Sequence, residues 1–185
     1  SVAAQKCFVK YKKTDAFAMS SVAATLAKFS MDVCLYMSQN FDFISLPAHL
    51  TTGSSIMPHK KNPDVFELIR GKCNKIQALP YEITLITNNL PSGYHREFQL
   101  LKEGLFPAIQ NLKACLDIAI FSIKDIKVKD NILADPKYNY LFTVDTLNEM
   151  VVAGMPFRDA YKAVAEQLEN GTYESPKATQ HTHEG

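Results

Sequence analysis

Between about Glu97 and Ile123, the apolar residues Leu101, Leu105, Ala108, Leu112, Leu116, Ala119 and Ile123 recur at steps of three and four. Side chains spaced in this way line one face of an α-helix, whereas a strand would scatter them over both faces. Two further stretches repeat the pattern. From about Asp15 to Gln39 it runs through Val22, Leu26, Phe29, Val33 and Tyr36, with Ala and Ser between them that allow close helix approach. From about Pro63 to Asn88 it runs through Phe66, Ile69, Cys73, Ile76, Leu79, Ile83 and Ile86. Pro80 and Pro107 each remove a backbone donor and predict a bend. Helices of this length exceed the usual mean of about 11 residues. Their stripes are too wide for one helical hairpin to bury, which implies a bundle with more helices than this chain provides.

After Lys124 the texture changes. A shorter helix is expected from about Asn139 to Val152, ending at Gly154, and another from Met155-Pro156 to Asn170-Gly171. Residues 1–13 are mixed and basic and show no assignable pattern, and no strand pattern, internal repeat or low-complexity run stands out. The expected fold is therefore all-α: a long-helix bundle over residues 1–124 and a small C-terminal helical domain over 125–185.

Charge excludes some partners. Lys plus Arg less Asp plus Glu is 20 − 19 = +1, which gives no support for nucleic acid or an anionic membrane as the main partner. No 18-residue apolar run or signal peptide is evident, so neither a membrane nor an export role is expected. Cys7, Cys34, Cys73 and Cys115 lie far apart without a CxxC pair and read as reduced, mostly buried thiols of a cytoplasmic protein. Ser1 and the run Thr182-His183-Glu184-Gly185 both look like cut ends, so a longer protein is expected.

The stretch with chemistry is Gly53-Ser54-Ser55-Ile56-Met57-Pro58-His59-Lys60-Lys61-Asn62-Pro63. It combines hydroxyls, ammonium groups and an amide, with Asn62 and Pro63 placed as the N-cap and first position of the following helix. Glu67 comes one turn later. A serine becomes a base only where neighbouring cations, amides or a helix dipole stabilise its alkoxide. A lysine stabilises a carboxylate that gains charge in a transition state. Together these groups suit proton abstraction beside a substrate carboxylate, although composition alone equally describes a surface loop with a basic helix cap.

These residues resemble the GSSxMPxKxNP signature of the fumarase/aspartase superfamily. The continuation Asp64-Val65-Phe66-Glu67-Leu68-Ile69-Arg70 is similar to its argininosuccinate lyase branch. Two more segments resemble that branch in the same order: Leu90-Pro91-Ser92-Gly93-Tyr94 with Gln99 and Lys102, and Gly154-Met155-Pro156-Phe157-Arg158-Asp159-Ala160. The resemblance implies β-elimination of argininosuccinate to arginine and fumarate with no cofactor and no metal. It implies Ser54 as the base, Lys60 as the stabiliser of the dianionic aci-carboxylate, and Glu67 as the acid that works with an active-site histidine. Asn62, Tyr94, Gln99 and Lys102 are then the substrate-binding residues. It further implies a cytoplasmic homotetramer whose active sites are shared between subunits, with the histidine supplied by a segment upstream of this chain. Another lyase of the superfamily, acting on adenylosuccinate, aspartate or malate, and a crystallin-like structural protein remain alternatives. His181 and His183, in the C-terminal tail, are not equated with that histidine.

Overall fold

The computed structural model describes residues 2–57 and 59–176, and the side chains from residue 7 onward. It is built from six helices and four two-residue strands among these residues. The chain divides into two units, Ser1–Lys129 and Asp130–Gly185.

In the first unit, α1 spans Val2–Tyr36. The basic segment without an assignable pattern is thus helical too, continuing the turns that follow it. The face that α1 buries is not the bulky stripe. Ala16, Ala23, Leu26, Ala27, Ser30 and Val33 are buried, while Val22 and Tyr36 are exposed. Small residues win this face because they let the backbone of α2 approach closely. Ser30 is fully buried without penalty, since its hydroxyl donates to Leu26 O at 2.8 Å.

α2 covers Asp64–Gln77 and α3 covers Leu79–Ile86. The expected kinked helix is two helices, separated at Ala78, with Pro80 in the first turn of α3, where its missing N–H costs nothing. The apolar repeat runs across the break: Phe66, Ile69, Cys73, Ile76 and Ile83 are all buried. Phe66 is 0% exposed and meets Phe29 of α1 edge-on, ring centres 6.0 Å apart.

The third long segment opens with a 3-10 turn, Arg96–Gln99, before α4, Leu101–Ile123. α4 buries Leu101, Leu105, Ala108, Leu112, Cys115, Ala119 and Ser122. This is a strict seven-residue repeat, so the seam passes through Cys115 and Ser122 instead of Leu116 and Ile123. Gly104 allows α3 and α4 to come together: a Cβ there would lie 3.0 Å from both Leu79 Cδ1 and Glu82 Oε1.

Two short antiparallel ladders join connecting segments within the all-helical architecture. β1 (Ile44–Ser45) pairs with β4 (Lys127–Val128), and β2 (Thr52–Gly53) pairs with β3 (Lys61–Asn62). The first ladder draws residues 127–129 into the helical unit, which is why the unit ends at Lys129 rather than at 124. Lys129 adds an ion pair to Asp42.

The second unit contains α5 (Thr143–Val152) and α6 (Phe157–Glu169) around Leu147, Ala160 and Val164. α5 starts later than expected because Pro136–Tyr138 form a 3-10 turn capped by the Asp135 carboxylate, which accepts from Lys137 N at 3.0 Å. Hydrogen bonds from Lys137 hold the Asp135 carboxyl below its usual range. Gly154 follows the α5 C-cap with φ +100°, a conformation that glycine adopts readily.

By length and composition, Cys7–Tyr36 and Arg96–Ile123 each reach the threshold for a membrane span, at a mean hydropathy of 1.2. Charged residues such as Lys28, Lys113 and Asp117 interrupt both helices on their exposed faces, while the opposite faces are buried in the unit.

Candidate active site

The loop 53–63 is a hairpin. Its base is the β2–β3 ladder, with Thr52 opposite Asn62 and Gly53 opposite Lys61. Asn62 is therefore a half-buried strand residue, not the N-cap. Pro63 holds the N-cap position of α2, with no side-chain cap. The register sends the chain out through Ser54 and returns it through Lys60, so the hydroxyl and the ammonium leave and enter the same two-rung ladder. Across the base, the Thr52 hydroxyl donates to Asp64 Oδ2 on the first residue of α2.

Ser54 is half-buried, and its Oγ accepts two backbone N–H groups, from Ile56 at 3.2 Å and Met57 at 3.1 Å. Donors aimed at an oxygen favour its ionised form. Both donations also fix where Oγ lies on the loop. Ser55 is exposed, and neither donation goes to it, which separates the two hydroxyls of the motif. The loop then turns with Lys60 N donating to Met57 O at 3.0 Å, leaving the Lys60 side chain exposed.

Glu67 sits exposed in the first turn of α2, where a negative charge suits the helix dipole. One turn on, Arg70 Nη1 donates to Met31 Sδ of α1 at 3.0 Å. Both charges are felt by Cys34 of α1. Burial pushes the Cys34 thiol up, Arg70 opposes that, and Glu67 adds to it.

The second cluster is a hydrogen-bonded relay. Lys102 Nζ donates to Gln99 Oε1 at 2.9 Å, and Gln99 Nε2 donates to the Tyr94 hydroxyl. Gln99 lies in the 3-10 turn and Lys102 in the first turn of α4, and their side chains meet across that junction. Tyr94 packs edge-on against Phe98, which is buried, with ring centres 5.8 Å apart. His95 is tied down beside it, its Nε2 2.8 Å from Pro91 O. With its oxygen already accepting from Gln99, Tyr94 has its hydroxyl proton free to donate outward.

Among the described residues, no hydrogen bond or ion pair joins this relay to the hairpin loop. The chain therefore presents two pre-assembled halves. Thr52 and Asp64, joined across the base of the hairpin, have no role that the sequence motifs announce. The only signal was their position, a hydroxyl just before the loop and a carboxylate just after it. Of the unassigned histidines, His49 lies 3.5 Å from Asp125, and His181 and His183 fall outside the described residues.

Residues 13–78 match a family profile described as Lyase. A long-helix core carrying an SSxMPxK hairpin at the start of a buried helix is what makes this chain similar to that lyase family. The chain is 56% identical over 176 residues to the argininosuccinate lyase of Parabacteroides distasonis, a match covering 95% of this chain and 40% of the relative. It is 52% identical to the argininosuccinate lyase of Bacteroides thetaiotaomicron, with the same coverage. The chain thus spans about 40% of the length of these relatives. Among solved structures, an EDDS lyase in complex with formate superposes with a TM-score of 0.69 at 22% identity, over 84% of this chain and 32% of that one. The 3-carboxy-cis,cis-muconate lactonizing enzyme of Pseudomonas putida gives 0.69 at 18% identity, over 86% and 36%. These two establish the helical-bundle fold.

Proposed function

We propose that this chain forms part of an argininosuccinate lyase, which eliminates fumarate from argininosuccinate and releases arginine. The observation that carries the reading is Ser54 Oγ, held by two backbone N–H donors on the hairpin that also presents Lys60. The Oγ, as alkoxide, removes the proton from the carbon adjacent to a substrate carboxylate. The two N–H groups disperse the charge of the alkoxide beforehand. The electron pair left behind flows into that carboxylate, giving the aci dianion, and the Lys60 ammonium stabilises it. The carbon–nitrogen bond then breaks, the pair returns to form the fumarate double bond, and the guanidino nitrogen leaves protonated. Asn62, beside Lys60 on the ladder, holds the substrate carboxylates. Glu67 orients the histidine that takes part in the proton transfers. Tyr94, Gln99 and Lys102 hold the remainder of the substrate by hydrogen bonds and charge. No step requires a metal or an organic cofactor.

We propose that the two halves, which no hydrogen bond or ion pair joins among the described residues, complete a site shared between subunits of a cytoplasmic homotetramer, one subunit offering the hairpin and another the relay. The apolar side chains left exposed on α1 and α4, among them Phe17, Phe106, Ile120 and Phe121, support the same assembly. The test is turnover by the full-length protein, followed through fumarate absorbance with argininosuccinate. Failure to turn over, combined with activity on adenylosuccinate, aspartate or malate, overturns the substrate assignment. A Ser54→Ala enzyme at the full rate overturns the base.

A further inference from the structure

We propose that Thr52 and Asp64 form a clamp that positions the catalytic hairpin, and with it Ser54 Oγ, on the rigid end of α2; this deepens the elimination reading above and rests on it. The hairpin has little else to hold it. Its two-rung ladder is short, and most of its side chains from Thr52 to Lys61 are exposed. Gly53, directly before the base, has no heavy atom within 4 Å of where a Cβ would stand, so nothing packs against the outgoing arm there. Left to the ladder alone, that arm is free to swing about a glycine.

The clamp supplies what packing does not. Thr52 is the last residue before Gly53, and its hydroxyl donates to Asp64 Oδ2, twelve residues later in the chain. Asp64 is a fixed point. It begins α2, whose first turn is closed by Phe66 N and Glu67 N donating to Pro63 O at 2.9 and 3.1 Å. Two residues on, Phe66 is 0% exposed in the core. The bond therefore transfers the rigidity of the helix to the residue two before the base. The paired turn inside the loop, Ile56 N and Met57 N onto Ser54 Oγ, fixes the oxygen relative to the loop but not to the protein. Thr52–Asp64 fixes the loop relative to the protein. A carboxylate on the first residue of a helix also suits the positive end of the helix dipole.

Thr52 and Asp64 are thus positioning residues, and the experiment must separate positioning from plain stability. In the full-length protein, Thr52→Val removes the donor and keeps the shape, while Thr52→Ser keeps the donor. Thr52→Val is expected to lower kcat for fumarate release about tenfold, the factor for one lost hydrogen bond to a charged acceptor. KM stays unchanged, the unfolding temperature falls by no more than a few degrees, and Thr52→Ser restores both kcat and the unfolding temperature. Deuterium exchange of the peptide covering 53–63 is expected to speed up in Thr52→Val and not in Thr52→Ser. Unchanged exchange in Thr52→Val overturns the clamp, as does a fall in kcat matched by a fall in unfolding temperature that Thr52→Ser does not reverse. If the wild-type protein releases no fumarate from argininosuccinate, the functional reading fails, and the exchange comparison alone decides the clamp.

Discussion

The relay Lys102–Gln99–Tyr94 makes a quantitative prediction about coupling. If Gln99 orients Tyr94, the two cannot contribute independently to substrate binding. Gln99→Leu removes both of its links, to Lys102 at 2.9 Å and to the Tyr94 hydroxyl. Tyr94→Phe removes only the second. A neutral hydrogen bond is worth about 1 kcal/mol net. Tyr94 is 46% exposed and Gln99 is exposed, so solvent competes and the bond between them comes to about 0.5–1 kcal/mol. Each single variant is expected to lower kcat/KM by about 1–2 kcal/mol of transition-state stabilisation, seen mainly as raised KM. The double variant should fall short of the sum by the shared bond, about 0.5–1 kcal/mol, or about two- to fivefold in kcat/KM. The assay is initial-rate fumarate release by the full-length enzyme, closing the cycle of four proteins. Additivity within about 0.3 kcal/mol refutes the relay and leaves two separate substrate contacts.

The core and the thiols give further tests in the full-length protein. Phe66→Ala removes a fully buried ring that meets Phe29, and should cost about 3–5 kcal/mol, read from the urea midpoint. Gly154→Ala forces a Cβ into φ +100° and should destabilise the α5–α6 unit by about 1 kcal/mol or more, visible as a lower melting temperature. Cys7 is exposed whereas Cys73 and Cys115 are buried, so a thiol reagent should modify Cys7 in the native state and the other two only on unfolding. Burial first, then the neighbouring Cys115, pushes the Cys73 thiol from 9.0 up to about 12. The unfolded chain therefore gives up this proton before the folded one does, and stability falls as pH rises from 9.0 towards 12. Urea titrations on either side of pH 9.0 should show that slope, and Cys73→Ala should flatten it.

What the chain discloses before folding depends on the range of the signal. The helix stripes are local, and bulky residues recurring every three or four positions mark α2 and α4 directly. The exact buried face is less visible. In α4 the choice of Leu116 and Ile123 over Cys115 and Ser122 follows hydrophobicity, whereas the packed seam follows a strict seven-residue repeat and accepts small residues. In α1 the reversal is sharper, because close approach to α2 favours Ala16, Ala23 and Ala27 over Val22 and Tyr36. Two-residue ladders are too short to leave an alternating pattern, so both were invisible. The hairpin motif showed its chemistry in its residue types, yet its clamp joins two polar residues twelve positions apart, which no local period reports.

In the proposed assembly, the apolar surface and the shared site trace back to one cause. A seven-residue repeat on α4 buries a narrow seam, while Phe106, Ile109, Ile120 and Phe121 lie off that seam and remain exposed. A helix apolar on more than one face needs neighbours on more than one side. α1 adds Phe17, Val22 and Met31 to the uncovered set. In the proposed assembly, the helices that cover these faces come from other subunits, and they bring their own hairpins and relays with them. Packing and catalysis then have a common requirement: covering the apolar faces is what carries a Ser54 loop towards a Tyr94–Gln99–Lys102 relay. On that argument, variants that weaken the exposed face of α4, such as Phe121→Asp, should lose assembly and turnover together, although Phe121 touches neither half of the site. Retained turnover by a dissociated Phe121→Asp protein would break the link between them.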